Sequence, residues 1–219
     1  MTKKKKIILI ASLSFIGAQL LAVLIPFSIY GIRSSAINNS YTYLFNENKI
    51  TNKKIEVPLV KQDISCGYAI IEMLSSYYGK TVTEKELYDK NNGAISTATT
   101  SGFVKEINQT LETTDYISKE YLKNDQLLII INESLVKDKP VAIEWAAKFD
   151  NEWTLHWSIV TGMDQDYVYI NNPYGYKEEI TYDEFISRTT FNAFNNMHLG
   201  YQFGFAFGLF SKNTIIVSK

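Results

Sequence analysis

Residues 62–79, QDISCGYAIIEMLSSYYG, carry the strongest structural pattern in the chain. The apolar side chains recur at the three-and-four spacing of a helix that begins at Cys66 and that Gly79 ends. The Cys66 sulfur would therefore lie at a helix N-terminus, where unsatisfied N–H groups and the helix dipole stabilise a thiolate. Because the chain has a single cysteine, no internal disulfide can form. Its thiol is either a buried, inert group or a nucleophile.

The two histidines bear on that choice, because a cysteine-dependent hydrolase needs an imidazole near its sulfur and a polar group that orients the ring. His156 lies at the start of a predicted strand in residues 155–162, LHWSIVTG, and the next predicted strand ends at Asn172. In adjacent antiparallel strands the start of the first faces the end of the second, so His156 and Asn172 should meet. His198 is predicted to lie in a surface loop. Together with Cys66, this geometry favours catalysis over a purely structural strand histidine.

The periodicity of the apolar residues changes along the chain from helical to strand-like. Helices are predicted at Cys66–Tyr78, from a Thr83–Glu86 capping box to Lys90, around Phe103–Leu111, at Leu127–Val136 and at Thr181–Arg188. Strands are predicted at Val141–Trp145, His156–Thr161 and Tyr167–Ile170, with a closing hairpin formed by Gln202–Phe210 and Thr214–Val217. Helices followed by strands indicate an α+β fold with an antiparallel sheet.

The N-terminus has the pattern of a membrane anchor. Lys3–Lys6 precede the apolar run Ile7–Tyr30. This run of about 24 residues would extend roughly 36 Å as a helix, against a hydrocarbon core of about 30 Å. Four lysines before a span hold the N-terminus in the cytoplasm and direct the rest outward. The alternative is a long signal peptide cleaved after Ser34-Ser35-Ala36. We therefore divide the chain into residues 1–36 (anchor or signal peptide), 37–56 (spacer) and 57–219 (folded domain).

The aromatic stretch Tyr201–Phe210 has two interpretations, a second membrane contact and a core strand. The stretch is short, and Gly204 and Gly208 interrupt it. These features favour the core strand.

Charge and composition exclude several classes of partner. Five of the 22 basic residues and none of the 23 acidic residues lie in the first 36 positions, so the remaining chain carries a net charge of about −6. A mildly acidic body argues against nucleic-acid binding. One cysteine and two separated histidines give no metal-ligand pattern, and there is no phosphate-binding glycine loop, so no cofactor is expected.

Three motifs in order resemble the double-glycine (bacteriocin-processing) peptidase-like family, cysteine peptidase family thirty-nine of the papain-like clan. They are a Val57-Pro58 lead with Gln62 and Cys66-Gly67, the segment His156–Gly162, and Asn172-Pro173-Tyr174-Gly175. The resemblance runs from about Val57 to Phe210. It implies a papain-like fold, with N-terminal helices packed on an antiparallel sheet, and a peptide or protein substrate.

The resemblance also implies roles for four residues. Cys66 would attack the carbonyl, His156 would take and return the proton, and Asn172 would orient the imidazole. Gln62 and the Cys66 N–H would form the oxyanion hole. The chain departs from the family at two of these positions. The family more often has Asp where Asn172 lies, and its Gln usually lies about six residues before the Cys rather than four.

Three functions remain open at this point. The first is an extracytoplasmic peptidase that forms an acyl-enzyme, and the second is a hydrolase of cell-wall peptides or amides. The third is a membrane-anchored binding or immunity module that keeps the fold without turnover. In each case the chain would lie at the cell membrane through its N-terminal helix, with the C-terminal domain outside, or would be secreted if that helix is cleaved.

Overall fold

The computed structural model describes residues 3–194 and 197–219, without the side chains of residues 3–13 and 16. The helices are α1 Lys3–Ala36, α2 Tyr43–Asn46, α3 Cys66–Tyr77, α4 Glu84–Lys90, α5 Thr100–Leu111, α6 Asn124–Val136, α7 Tyr182–Thr189 and α8 Leu199–Ala206, with a short 3₁₀ helix at Ser96–Ala98. The strands are β1 Lys53–Lys54, β2 Tyr116–Lys119, β3 Val141–Phe149, β4 Glu152–Met163, β5 Tyr167–Asn172, β6 Tyr176–Thr181 and β7 Thr214–Ser218.

The strands of the described residues form one antiparallel sheet in the order β2-β7-β3-β4-β5-β6, and β1 adds to β4. The β3–β4 pair is the longest, and its register includes Trp145 opposite His156. In contrast, β5 pairs with β4 only as far as Ile159 opposite Asn171. The first half of β4, which carries His156, therefore extends beyond the end of β5.

Local signals explain where the N-terminal helices begin. Ser65 accepts a hydrogen bond from the Tyr68 N–H at 3.1 Å and caps α3. Thr83 and Glu86 form a reciprocal capping box at the start of α4. α3 and α5 then bury their apolar faces, and each fully buried Leu, Ile or Phe side chain contributes about 2 kcal/mol. Phe103 of α5 packs edge-to-face on Trp157 of β4 at 4.9 Å, which ties the helical half to the sheet.

This architecture confirms the predicted α+β class with N-terminal helices and an antiparallel sheet. The predicted closing hairpin is wrong, because residues 199–206 form the helix α8 while only Thr214–Ser218 is a strand. α8 ends in a glycine turn, in which the Gly208 N–H donates to the Phe205 C=O and the Leu209 N–H to the Gly204 C=O. Gly208 has the positive φ of 74° that such an ending requires.

The N-terminal segment contacts the folded domain from the end of α1 onward. Residues Gly17–Ala36 are long and apolar enough to cross a membrane, with a mean hydropathy of 1.2, and they are not buried in the protein. After α1, Ile37, Leu44 and Ile50 are buried, so the predicted spacer packs against the domain. The Asn124 N–H at the start of α6 donates to the Ile37 C=O at 3.0 Å.

Candidate active site

The Cys66 sulfur lies against the strand that carries His156. Cys66 is the first residue of α3 and its side chain is half-buried. The backbone N–H groups of Trp157 and Gly67 lie close enough to the sulfur to stabilise its thiolate form. Because Trp157 directly follows His156 on β4, the thiol and the imidazole share one neighbourhood.

A carboxylate from α4 holds the loop that leads into Cys66. Glu84 is buried and accepts hydrogen bonds from the N–H groups of Asp63, Ile64 and Ser65, at 2.9, 3.0 and 3.0 Å. Three donors on one carboxylate offset the cost of burying its charge. The turn before Cys66 is therefore fixed by its backbone.

Gly67 allows α3 to lie against the 3₁₀ helix Ser96–Ala98. A Cβ atom at position 67 would lie 2.2 Å from Thr97 Oγ1 and 2.4 Å from Thr97 Cβ. These atoms are at the base of the threonine side chain, so a change of rotamer would not relieve the second contact. The residue after the thiol is glycine because no side chain fits there.

His156 and Asn172 are in direct contact. His156 Nε2 lies 3.0 Å from Asn172 Oδ1, and the two residues are 2% and 0% exposed. The Tyr174 ring stacks on the imidazole with 4.0 Å between ring centroids and 20° between planes. The imidazole is therefore held by a hydrogen bond at one nitrogen and by a ring on one face.

The orientation of the Asn172 amide follows from its other partners. Its Nδ2 donates to Glu178 Oε1 at 2.7 Å, and its Oδ1 accepts from the Tyr174 N–H at 2.9 Å. Oδ1 therefore faces His156 as an acceptor, and Nε2 of the ring must carry the proton. The other ring nitrogen, Nδ1, then has a free lone pair, and it has no hydrogen-bond partner within the described part of the chain.

A buried ion pair supports the far side of the amide. Arg188 of α7 donates to Glu178 at 2.6 Å, and its Nε donates to the Ala146 C=O at 2.7 Å. The guanidinium also lies 3.5 Å from the centroid of the Trp145 ring. His156, Asn172, Glu178 and Arg188 thus form one continuous chain of hydrogen bonds.

Burial favours the neutral forms of both Cys66 and His156. It raises the pKa of the Cys66 thiol more than the nearby backbone N–H groups lower it. It lowers the pKa of His156 to about 4; the Asn172 hydrogen bond opposes this shift and the Arg188 charge adds to it. The resting site consequently contains a thiol and an uncharged imidazole.

Glu144 is a second buried acid near the thiol. It lies opposite Trp157 in the β3–β4 pair, and its Oε2 has no hydrogen-bond partner among the described residues. Burial, aided by the charge of Glu120, raises the pKa of Glu144 to about 8, so it is largely protonated at neutral pH.

Gln62 is joined to the end of β5 through its backbone. Its N–H donates to the Pro173 C=O at 2.7 Å, one residue after Asn172. Its Oε1 is buried and has no hydrogen-bond partner in the described residues. The other histidine, His198, caps α8 by accepting from the Gly200 N–H at 3.2 Å and takes no part in this cluster.

Sequence reasoning missed Glu84, Glu178 and Arg188. Each is a charged residue of a kind that usually lies on a solvated surface. Glu84 begins a helix that was predicted from its capping box, but no local pattern connects it to the loop at residues 63–65. Glu178 lies on β6, whose polar sequence gave no strand signal.

Comparisons with curated proteins and with solved structures gave different results. No curated protein matches the chain. Among solved structures, a double glycine motif protease from an AMS/PCAT transporter, in complex with the leader peptide, is 17% identical with a TM-score of 0.48 and covers 78% of this chain and 97% of its own. A putative C39-like peptidase from Bacillus anthracis is 14% identical with a TM-score of 0.46, covering 77% and 98%. The peptidase domain of Streptococcus ComA is 16% identical with a TM-score of 0.48, covering 74% and 98%.

The family comparison covers most of the domain. The profile of the family described as Peptidase_C39 like matches residues 54–201, which includes Cys66, His156 and Asn172. The match confirms the resemblance drawn from the three sequence motifs. The chain belongs to the peptidase C39-like family.

Proposed function

We propose that this chain is a cysteine peptidase that cleaves a peptide bond with Cys66, His156 and Asn172. The observation that carries the proposal is the hydrogen bond of 3.0 Å between His156 Nε2 and Asn172 Oδ1. It fixes the proton on Nε2 and leaves Nδ1 as a base, on the strand against which the only cysteine of the chain lies. Membership of a peptidase family supports the same reaction class.

The reaction would proceed through an acyl-enzyme. Cys66 Sγ attacks the carbonyl carbon while its proton passes to His156 Nδ1, and the oxyanion accepts hydrogen bonds from the Cys66 N–H and the Gln62 side chain. The intermediate collapses, His156 gives the proton to the leaving nitrogen, and an amine departs. Water, deprotonated by His156, then attacks the thioester and releases the carboxylic acid and the thiol.

The neutral resting site affects the timing of proton transfer. Since burial raises the thiol pKa and lowers the imidazole pKa, the thiolate–imidazolium pair is disfavoured before substrate binds. Asn172 orients the ring but brings no charge, and the nearest carboxylate beyond it, Glu178, already pairs with Arg188. Proton transfer to His156 should therefore accompany attack on the carbonyl.

We propose that α1 anchors the enzyme with its domain outside the cytoplasm. The apolar, unburied segment Gly17–Ala36 is about 30 Å long as a helix, and four lysines precede it. The test is labelling of single cysteines with an impermeant maleimide in intact cells, in a Cys66→Ala background. Asn39→Cys should react and Thr2→Cys should not; the reverse pattern contradicts this orientation, and loss of α1 from the mature chain would mean a secreted enzyme.

One feature favours the alternative of a binding or immunity module without turnover. The His156 imidazole is almost completely buried, and Tyr174 covers one of its faces. A site closed in this way could retain the fold and hold a peptide without cleaving it. Labelling of Cys66 by a peptidyl electrophile separates the two functions.

The decisive experiment alkylates the candidate nucleophile with electrophilic peptides, which leave a stable thioether on the sulfur. Full-length protein in detergent is incubated with a panel of peptidyl acyloxymethyl ketones, and intact mass spectrometry counts the adducts. Wild type should gain one adduct on Cys66, Cys66→Ala none, and His156→Gln a strongly reduced rate. His198→Gln is the matched control, because it removes the other histidine and should react like wild type. Absence of any adduct in wild type, or an equal rate in His156→Gln, would contradict the peptidase and leave the binding module.

A further inference from the structure

The helix α8 lies against the candidate membrane span. Phe203 packs edge-to-face on Phe27 of α1 with 5.2 Å between ring centroids. Phe205 stacks on Tyr30, one turn further along α1, at 5.8 Å. α8 is thus held beside the last turns of the segment that would leave the bilayer.

The outer face of α8 is apolar and largely exposed. Gly204 and Phe205 are buried toward the protein. Four large apolar side chains of α8 and of the turn that follows it are between 43% and 64% exposed, and we call them the α8 ridge: Leu199, Phe203, Phe207 and Leu209. The spacing of four residues puts Leu199, Phe203 and Phe207 on one side of the helix. No charged residue occurs from Leu199 to Phe210. Contiguous apolar surface of this kind marks an interaction site.

The groups around the ridge match the membrane–water interface. The Arg33 guanidinium lies over the Tyr121 ring at 5.4 Å, and the Lys212 ammonium lies over the Tyr30 ring at 5.4 Å. Cationic and aromatic side chains of this kind gather where a span leaves the hydrocarbon. Phe27, which contacts α8, precedes Arg33 by six residues, or about 9 Å along the helix axis. The α8 contact is therefore within the depth of about 5–10 Å at which interfacial helices insert.

We propose that the α8 ridge inserts into the outer boundary of the lipid bilayer beside α1. The occupant is lipid rather than a second protein, because the ridge continues the exposed apolar surface of α1, which includes Leu24 and Ile25. The domain is then attached to the membrane at two points, one span and one interfacial helix. This inference depends on α1 being a membrane span and not on the peptidase reaction.

The second attachment fixes how the domain sits on the membrane. Tyr201 of α8 packs on Phe194 at 5.6 Å, and Phe194 packs on Trp153 at 6.4 Å. Trp153 lies on β4, three residues before His156. The aromatic contacts therefore connect the membrane-facing helix to the strand of the candidate site, so insertion of the ridge would fix the orientation of that strand relative to the bilayer.

The test measures lipid contact directly. The full-length chain with Cys66→Ala receives one cysteine at a time, Phe207→Cys or Leu209→Cys, each labelled with an NBD fluorophore and reconstituted in phosphatidylcholine vesicles. Replacing part of the lipid by phosphatidylcholine with a nitroxide on the acyl chain should quench about half of the NBD fluorescence or more. Val136→Cys is the matched control, because Val136 is also exposed and lies at the far end of α6, about 18 Å from the contact with Ile37. It should keep its fluorescence.

Three results would overturn the proposal. Probes at 207 and 209 that are quenched no more than the probe at 136 would show that the ridge is in water. Probes that are blue-shifted but not quenched would show that protein, such as a second copy of the chain, covers the ridge. A probe at Leu24→Cys that is not quenched would remove the span on which the proposal depends. None of these results bears on labelling of Cys66 by peptidyl electrophiles, so the two proposals can fail separately.

Discussion

His156 and Glu178 are bridged by a single amide. Asn172 accepts from the imidazole through Oδ1 at 3.0 Å and donates to the Glu178 carboxylate through Nδ2 at 2.7 Å. The family more often has aspartate at this position. In this chain the negative charge lies one hydrogen bond further from the ring, and Arg188 neutralises it.

The first prediction concerns variants in which the amide at position 172 and the carboxylate at position 178 change places. Asn172→Asp alone would place two carboxylates in contact, so the free energy of unfolding should fall by about 2 kcal/mol. Adding Glu178→Gln restores a donor for the new aspartate. The double variant should therefore be more stable than the sum of the single effects by about 1–3 kcal/mol. Urea unfolding in detergent, followed by tryptophan fluorescence, measures the free energy of unfolding of wild type, both single variants and the double variant. Strictly additive effects would mean that the amide does not bridge the two groups.

The second prediction concerns the titration of His156. Its folded pKa of about 4 lies below the ordinary 6.5, so as pH falls the unfolded chain binds the proton first. This residue's contribution to the free energy of unfolding should therefore decrease between pH 6.5 and 4, by at most about 1.4 kcal/mol per pH unit, and level off below pH 4. The His156→Gln variant should lack this slope while His198→Gln keeps it. In ¹³C-histidine NMR spectra the ring should stay neutral until about pH 4; a midpoint near 6.5 would refute its burial.

The third prediction concerns Glu144, whose contribution to stability changes with pH in the opposite direction to that of His156. Its folded pKa of about 8 lies above the ordinary 4.5, so the unfolded chain loses the proton first as pH rises. Stability should fall between pH 4.5 and 8, by at most about 1.4 kcal/mol per pH unit. Glu144→Gln has nearly the shape of the protonated acid and should be more stable than wild type at pH 8 but nearly equal at pH 4. Glu152→Gln, at an exposed position, is the control and should not change the slope. Equal slopes in wild type and Glu144→Gln would show that the acid is ionised when folded.

The fourth prediction tests the contact of Gly67 with Thr97. Alanine is favoured over glycine in a helix by about 1 kcal/mol, yet Gly67→Ala should destabilise the protein by about 1–3 kcal/mol, because its Cβ would overlap Thr97. It should also slow labelling of Cys66. Adding Thr97→Gly should restore stability. Thr97→Ser keeps the Cβ and Oγ atoms that would overlap the new Cβ, so it should not restore stability. Rescue by the serine variant would contradict this explanation.

The elements that could be predicted have strong local signals. Residues 65–79 contain a capping serine, an apolar face and a terminal glycine, and Cys66–Tyr77 form α3 as expected. β6 could not be predicted, because Lys177, Glu178 and Glu179 make it a polar strand at the edge of the sheet. α8 was wrongly predicted as a strand because its phenylalanines alternate with small residues. Alternation is a strand pattern, and the packing of Phe203 and Phe205 on α1, which is distant in sequence, favours the helix instead.

The site was predictable only in part for a similar reason. Asn172 ends β5, and His156 lies on the part of β4 that continues just beyond that end rather than at the predicted start of the strand. Antiparallel geometry still brings the two residues together. Glu84 and Arg188 contact the site from helices that are distant in sequence. A single sequence contains no signal for such pairs, since each residue taken alone resembles a surface charge.

The attachment of the loop at residues 63–65 to Glu84 has a consequence for tolerance to mutation. The carboxylate binds only backbone N–H groups there, which every residue except proline supplies. Asp63 is exposed and can therefore be exchanged widely without moving the neighbouring sulfur, whereas position 84 has to remain acidic. A deep mutational scan would find position 63, close to the thiol, permissive and a residue on another helix intolerant.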